Sequence, residues 1–198
     1  MKDTLKREFN KMKLSDKNLC IKVLVDDYEN ESELLDAVAI ELEKDVRFFQ
    51  LNQGICADNK FLDISQKVQQ LTSMYDATLV VKGSLALSYF LKPDGVLLDN
   101  RDIDFEKVRE FLGETIIIGY ECVDEDDVEK AIKRGADYLV IPTPSTSTNN
   151  VVIEYAKWVY ENVNNKIPVF LEVDSLETHT KVDSIKIDKH LLLINKHK

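Results

Sequence analysis

The sequence predicts a (β/α)8 barrel, an α/β fold in which eight parallel strands alternate with helices around one axis. Short apolar runs rich in β-branched residues recur along the chain, and amphipathic segments of helical period separate them. A similar phrase opens three of these runs, at residues 93–96, 136–139 and 182–185. An open doubly wound sheet is the less favoured alternative, because no glycine-rich phosphate loop follows the first run.

Eight strands are predicted from these runs. The first is apolar along most of its length, as expected of a strand that is buried on both faces. The seventh and eighth are separated only by a cramped segment at 175–181, which predicts a compact barrel with a shortened seventh helix. In chain order the predicted strands are residues 19–25, 46–51, 77–81, 95–98, 115–119, 138–141, 167–173 and 182–187.

Amphipathic segments between the strands predict the helices, and several of their ends carry suitable capping residues. Asp104 can cap the amino end of one helix, and Gly113 ends the same helix. The helix that begins at Asp124 has acidic residues in its first turn and Lys133 and Arg134 in its last, which complements the helix dipole. Helices are expected at 31–44, around 64–71, and at 84–91, 104–112, 124–134 and 149–164.

Residues 1–18 precede the first strand and are predicted to form a lead-in helix. Leu5, Phe9 and Met12 lie at helical spacing in this otherwise polar segment. We expect the helix to cover one end of the barrel, with residues 19–198 forming one barrel domain.

The composition excludes several classes of function. A net charge of −10 and a pI near 4.9 argue against broad nucleic-acid binding, which requires a basic face. Cys20, Cys56 and Cys122 lie far apart without metal-ligand spacing, which favours reduced thiols over a zinc site or a disulfide framework. No apolar run reaches the length of a membrane span, and no signal peptide is evident. We therefore expect a cytoplasmic protein that is not bound to a membrane.

Three segments of the chain carry distinctive phrases. Residues 93–102 read PDGVLLDNRD, residues 117–123 read IIGYECV and residues 135–141 read GADYLVI. These segments resemble the thiamine phosphate synthase and TenI superfamily of compact (β/α)8 barrels, whose members typically carry phrases like ADGVHLGQED, IIGVSTH and GADYIGVGPVFPTPTK. The spacing agrees throughout. Because most of these are scaffold residues, they indicate the fold more than the activity.

The resemblance implies an enzyme of thiamine biosynthesis. The family's synthase joins a hydroxymethylpyrimidine pyrophosphate to a thiazole phosphate and releases pyrophosphate with the help of Mg²⁺, so phosphorylated small molecules are the implied partners. The family phrase QLREK corresponds to residues 50–54. Gln50 is thereby expected to contact the pyrimidine, while Asn52, a further candidate for substrate binding, and Gly54 replace the family's Arg and Lys.

The resemblance also implies which positions would bind the metal ion and which would carry charge. Lys82 and Gly83 correspond to the family's Asn-Asp pair after strand three, so that one metal carboxylate is missing and a candidate catalytic cation takes its place. Asp102, with Asp99 close by, corresponds to the second metal carboxylate. Glu121 stands in place of the family's Ser after strand five, where its negative charge would repel pyrophosphate.

The remaining candidates follow the later strands. Thr146, Ser147 and Thr148 retain part of the family's Thr-rich loop and are expected to contact the thiazole phosphate. Lys189 follows the predicted eighth strand and is a candidate for binding phosphate. Asp174 falls where the family has glycine, and its charge opposes phosphate. A homodimer is expected from the resemblance alone.

Two alternatives remain open. The loss of most family cations and glycines fits a non-catalytic barrel that binds a thiamine-related ligand or a partner protein. A TenI-like thiazole tautomerase would need an acid–base pair, for which Glu121 is the replacement at the right loop. Neither Cys122, which lacks an identifiable base nearby, nor the three C-terminal histidines match a catalytic position of the family.

Overall fold

The eight strands of the chain close into a parallel barrel in which every strand pairs with its neighbours in sequence order. Closure occurs where β8 pairs with both β1 and β7. The computed structural model describes residues 19–99, 104–142, 150–163, 166–173 and 190–193. The predicted (β/α)8 barrel is confirmed.

The strands are short and follow one another around the barrel in sequence order. Their bounds are β1 Leu19–Leu24, β2 Phe48–Asn52, β3 Thr78–Lys82, β4 Gly95–Leu98, β5 Ile117–Glu121, β6 Tyr138–Ile141, β7 Val169–Val173 and β8 His190–Leu193. The strand β5 ends two residues later than predicted, so Glu121 is the last residue of the strand instead of a loop residue. A polar side chain is tolerated there because it faces the open end of the barrel.

The helices lie outside the strands and run back toward their amino ends. Their bounds are α1 Glu31–Glu43, α2 Asp58–Met74, α3 Leu85–Leu91, α4 Phe105–Leu112, α5 Glu125–Lys133 and α6 Asn150–Val163. Asp104 caps α4 by accepting a hydrogen bond from the Glu106 amide, and Gly113 follows the helix with a φ of 112°. Asp124 caps α5 through the Asp127 amide. The prediction that Asp104 caps α4 and that Gly113 ends it is confirmed, and α5 begins one residue after Asp124, where the sequence predicted its start.

The predicted position of the eighth strand is wrong. The strand that closes the barrel is His190–Leu193, with Leu19 of β1 and Leu171 of β7 both opposite His190. Residues 182–187 interrupt their apolar pattern with Asp183 and Lys186, whereas 191–194 are continuously apolar, as a strand covered on both faces requires. The shortened seventh helix was inferred from the wrong strand. The intervening residues 174–189 lie outside the described part of the chain, as does the predicted lead-in helix at 1–18.

A cluster of apolar side chains fills the barrel interior toward the amino ends of the strands. The rings of Phe48, Tyr138 and Phe170 meet edge to face, with centroids 5.3–5.7 Å apart. Gly119 makes room for this cluster, because a Cβ atom there would lie 2.2 Å from Cζ of Tyr138. Since the interior is packed here, any ligand must enter from the opposite end of the barrel.

The recurrent aspartate that precedes several strands has a structural role. Asp94, before β4, accepts a hydrogen bond from the Leu79 amide of β3 at 2.8 Å. Asp137, before β6, accepts one from the Ile118 amide of β5 at 2.9 Å. Each carboxylate thus satisfies a donor at the amino end of the preceding strand. Asp183, in the third copy of the phrase, lies outside the described residues.

Asp137 also anchors a buried ion pair. The Arg109 guanidinium of α4 donates to the Asp137 carboxylate at 2.9 Å and to the carbonyl oxygens of Ile116 and Gly135. The side chain of Asp137 is fully buried, and that of Arg109 is 8% exposed. The pair therefore ties α4 to the amino ends of β5 and β6. Within the described residues, no helix combines the length and apolarity needed to cross a bilayer.

We expect the substitution Asp137→Ala to destabilise the barrel by about 3–5 kcal/mol, because it leaves the buried Arg109 charge without its partner. The measurement is the free energy of unfolding in urea. Lys67→Ala is the matched control, since it breaks the exposed ion pair between Lys67 and Glu31 at 2.7 Å and should cost less than about 1 kcal/mol. Equal losses in the two variants would contradict the structural role of Asp137.

Candidate active site

The barrel mouth, meaning the carboxyl ends of the strands and the loops that follow them, contains a cavity of about 760 Å³. Residues from the ends of β1 to β4 and from the start of α3 line it, among them Asn52, Lys82, Ser84 and Asp99. The carboxyl ends of the strands are where (β/α)8 barrels carry their chemistry. Asn52 and Lys82, two of the site residues predicted from the sequence, therefore line the same cavity.

An amide pair occupies the β2 side of the mouth. Phe48 belongs to the interior cluster, so the alternation of the strand turns Gln50 and Asn52 inward as well. The Gln50 amide nitrogen donates to Oδ1 of Asn52 at 2.9 Å, and both residues are buried. Oε1 of Gln50 is also buried and accepts no hydrogen bond from the described residues. The described residues thus leave this buried acceptor without a hydrogen-bond donor.

An ion pair joins the two residues that the sequence singled out as catalytic candidates. Nζ of Lys82, at the end of β3, lies 2.5 Å from a carboxylate oxygen of Glu121, at the end of β5. The Lys82 side chain is 27% exposed and that of Glu121 is 22% exposed. The pair thus spans the end of β4, and the Lys82 charge at the cavity is balanced by a carboxylate of the chain itself.

A second interior ion pair was not singled out from the sequence. Nζ of Lys22 in β1 lies 2.5 Å from Oε1 of Glu172 in β7, and both side chains are mostly buried. The sequence did contain a signal for this pair, because each residue is the one charged residue of an apolar strand. Lys22 lies two positions after Cys20, and Glu172 two positions after Phe170, and both of these residues face inward. Because 150 residues separate Lys22 from Glu172 in the sequence, their pairing could not be inferred from it.

The loop after β2 is held against the loop after β1. Oδ2 of Asp26 accepts a hydrogen bond from the Ile55 amide at 2.7 Å. Gly54 has a φ of 60°, and a Cβ atom at this position would lie 2.0 Å from that same Asp26 oxygen. A side chain at position 54 would therefore strain the backbone and displace Asp26. The lysine that the resemblance has at this position does not fit the observed loop.

Cys122 follows β5 but is unsuited to nucleophilic chemistry. Its side chain is fully buried, and Sγ lies 3.8 Å from the carbonyl oxygen of Tyr120. Burial raises the pKa of the Cys122 thiol well above its ordinary value, and the nearby carboxylates of Asp127 and Asp124 raise it further. The thiol therefore stays protonated and inert at neutral pH.

The other predicted site residues lie outside the described part of the chain. They are Asp102, Thr146, Ser147, Thr148 and Lys189. Lys189 was selected because it follows the strand predicted at 182–187, whereas the described eighth strand is His190–Leu193. Its role in binding phosphate stays a prediction.

The described residues do not form a metal site by themselves. Among them, no three His, Cys, Asp or Glu side chains come together as ligands. Asp99 is the one carboxylate among the described residues that line the cavity. Mg²⁺ is commonly held by one or two carboxylates together with substrate phosphates. A magnesium ion here would depend on oxygen atoms from a ligand.

Comparison with known proteins gives a consistent result over most of the chain. A family model described as thiamine monophosphate synthase, TMP-TENI, matches residues 21–171. A thiamine-phosphate synthase of Dictyoglomus turgidum is 30% identical over 141 residues, which cover 68% of this chain and 62% of that protein. One from Caldicellulosiruptor saccharolyticus is 27% identical over 165 residues, 80% of this chain and 73% of that protein. The chain thus spans less than two thirds of the Dictyoglomus relative.

Solved structures agree on the architecture. A thiamine phosphate pyrophosphorylase from Pyrococcus furiosus superposes with a TM-score of 0.74 at 24% identity, covering 91% of this chain and 87% of that one. A 3-dehydroquinate dehydratase from Geobacillus kaustophilus superposes with a TM-score of 0.63 at 10% identity, covering 92% and 84%. At these identities the likeness shows the barrel fold alone.

We expect Gly54→Ala to destabilise the protein more than Gly135→Ala. Both glycines have positive φ, 60° and 79°, but a Cβ at Gly135 meets nothing within 4 Å. The control therefore carries only the strain of a Cβ atom at positive φ, about 1 kcal/mol. Gly54→Ala additionally displaces Asp26 from the Ile55 amide, which adds about 1 kcal/mol. Urea unfolding measures the difference, and equal losses would show that Asp26 moves aside freely.

We expect a thiol-reactive disulfide reagent at pH 8 to modify Cys56 in the native protein and to leave Cys20 and Cys122 unmodified. Cys56 is partly exposed, whereas the other two thiols are buried and burial raises the pKa of each. Peptide mass mapping before and after denaturation identifies the modified residues, and Cys56→Ser provides the unlabelled control. Native labelling of Cys122 would contradict its assignment as an inert core thiol.

Proposed function

Since the chain belongs to the thiamine monophosphate synthase family, we propose that it joins a hydroxymethylpyrimidine pyrophosphate to a thiazole phosphate. In this transfer, the thiazole nitrogen forms a bond to the methylene carbon of the pyrimidine. The bond from that carbon to the pyrophosphate oxygen breaks, and pyrophosphate leaves with the electron pair. The observation that carries the proposal is the cavity at the barrel mouth, which is lined by Lys82 and by Asn52, the hydrogen-bond partner of Gln50.

The amide pair suits a heteroaromatic ring that carries an amino group. The hydrogen bond to Asn52 fixes the orientation of the Gln50 amide, because its nitrogen is already committed. Oε1 of Gln50 is left as a buried acceptor, which matches the amino group of an aminopyrimidine. A ring without that donor would leave the buried acceptor unsatisfied, which weakens binding. This supports the proposal that Gln50 and Asn52 bind the pyrimidine.

Lys82 is proposed to stabilise the departing pyrophosphate. It is the one cation among the described residues that line the cavity. A cation placed where negative charge develops lowers the barrier of such a transfer. Because Nζ of Lys82 is held by Glu121, this role requires the ion pair to loosen when the substrate enters. Glu121 then acts on catalysis through Lys82 and not as a nucleophile.

The remaining assignments rest on the resemblance. We propose that Thr146, Ser147 and Thr148 contact the thiazole phosphate, and that Asp102 with Asp99 contributes oxygen ligands when Mg²⁺ accompanies the phosphates. Association into a homodimer stays a prediction that sedimentation analysis can test.

The direct test is to incubate the protein with the two phosphorylated precursors, with and without Mg²⁺, and to measure thiamine phosphate. We expect product, and we expect Lys82→Met to lower kcat/KM by about 10- to 100-fold through loss of a charge-assisted interaction. Lys67→Met is the matched control, because Lys67 pairs with Glu31 on exposed helices away from the cavity. It should leave kcat/KM unchanged.

Two outcomes would contradict the proposed reaction. Binding of either precursor by calorimetry without any product would point to a ligand-binding barrel instead of a transferase. Absence of both binding and product would remove the assignment of the cavity to these ligands.

A further inference from the structure

We propose that charged side chains of the odd-numbered strands form one layer beneath the barrel mouth, and that this charged layer binds an anion on one side and a cation on the other. It consists of Lys22, Lys82, Glu121 and Glu172, from β1, β3, β5 and β7 respectively. Lys22 and Glu172 thereby acquire a role in ligand binding. The inference rests on the proposed function for the identity of the ligands, in which pyrophosphate is the anion and a thiazolium ring is the cation.

The strand register places Lys22 and Lys82 at one level of the barrel. Lys22 pairs with Gln50 of β2, and Gln50 pairs in turn with Val80 of β3. Because the strands of such a barrel are tilted, the residue at the same level two strands away lies about two positions farther along its strand. That residue is Lys82. Inward side chains of alternate strands share a layer in this fold.

The same displacement leads around the whole barrel. From Lys82 it leads through β4 to Glu121, and from Glu121 through β6 to Glu172. From Glu172 it returns through β8 to Lys22. Each of these side chains shares the inward face of its strand with a residue of the interior cluster, namely Cys20, Val80, Ile117 and Phe170. The four charged groups therefore lie at one level and face one another.

Opposite charges lie on opposite sides of this layer. Both lysines come from the β1 to β3 side of the barrel and both glutamates from the β5 to β7 side. Each lysine Nζ lies 2.5 Å from a carboxylate oxygen, in the pairs Lys22–Glu172 and Lys82–Glu121. The side chains are 11–27% exposed, and charges act on one another more strongly in such a sheltered site than in open water. The charged layer is neutral as a whole but polar across the barrel.

The lysine side of the charged layer adjoins the cavity. Lys82 lines the cavity, as does Asn52 of β2, the strand between the two lysines. Lys82 and Asp99 are the one cation and the one carboxylate among the described lining residues, so this part of the wall carries no net charge. The two glutamates come from strands that do not line the cavity. An anion in the cavity thus lies nearer to the lysines than to the glutamates.

This polarity matches the charges that the proposed reaction separates. When the bond to pyrophosphate breaks, negative charge develops on the leaving oxygen and positive charge on the ring fragment. Lys82 turns toward the pyrophosphate, and the cationic ring then compensates the Glu121 carboxylate that Lys82 has left. Lys22 and Glu172 reinforce the same direction of charge from the neighbouring positions. Groups already arranged in this way stabilise the separated charges without further reorganisation.

The experiment reverses the polarity of one ion pair without removing it. Lys22→Glu is combined with Glu172→Lys, so that the layer keeps its net charge while the positive and negative positions exchange. Calorimetry measures the dissociation constants of thiamine, which contains the thiazolium cation, of inorganic pyrophosphate and of the neutral hydroxymethyl aminopyrimidine. We expect thiamine and pyrophosphate each to bind the exchanged chain at least about tenfold more weakly, and the neutral pyrimidine to bind equally.

Control variants complete the design. Glu31→Lys combined with Lys67→Glu exchanges an exposed ion pair and should leave all three dissociation constants unchanged. Glu172→Gln alone should weaken the binding of thiamine but not of pyrophosphate, and Lys22→Met alone should do the reverse. Circular dichroism melting establishes that each variant is folded. If the exchanged chain does not fold, the two single variants decide the question.

The results distinguish this inference from the proposed reaction. Unchanged affinity for either charged ligand in the exchanged chain, or an equal loss for the neutral pyrimidine, would overturn the inference. Failure of the wild-type chain to bind thiamine or pyrophosphate would overturn it as well. Charge-dependent binding supports the inference even when no thiamine phosphate is formed, and in that case only the proposed reaction fails. Product formation with affinities that the exchange does not alter would contradict the inference alone.

Discussion

Closure of eight parallel strands is the constraint on which the rest of this structure depends. It forces every second side chain of each strand into one narrow interior, where space and hydrogen-bond partners are both limited. Toward the amino ends, the chain fills that space with the rings of Phe48, Tyr138 and Phe170. Toward the carboxyl ends, polar side chains face inward and must find partners among themselves or in a ligand. The architecture of the site follows from the partners that these polar side chains find.

In the described part of the barrel mouth, most inward-facing polar side chains are paired with one another. Gln50 is bonded to Asn52, Lys22 to Glu172, and Lys82 to Glu121. Each contact offsets the cost of removing a polar group from water before a ligand arrives. A site built in this way is less dependent on its ligand for stability than a cluster of unpaired cations would be. The same contacts lower the affinity for a ligand that has to break them, which is a form of stability–function trade-off.

The sequence was sufficient for the architecture because local signals repeat eight times. Asp104, Gly113 and Asp124 marked helix ends correctly, since caps depend on residues within one turn. The eighth strand was placed wrongly because two apolar runs near the C-terminus compete, and only closure with β1 decides between them. The resemblance placed Gln50, Asn52, Lys82 and Glu121 at one end of the barrel. It could not reveal the contact between Lys82 and Glu121, because 39 residues separate them and their pairing depends on side-chain conformation.

The changes at positions 52, 54 and 121 are physically connected. Gly54 permits the turn that brings Asp26 onto the Ile55 amide, and this arrangement leaves no room for a basic side chain. With Asn52 bonded to Gln50, the described end of β2 presents an amide and no cation. Lys82 then remains as the local positive charge, and the Glu121 carboxylate is close enough to neutralise it. A basic substitution at position 52 or at position 54 alone therefore does not create a polyanion site. Removing the Glu121 charge differs from the other two changes, because it frees a cation that is already in place without altering the backbone.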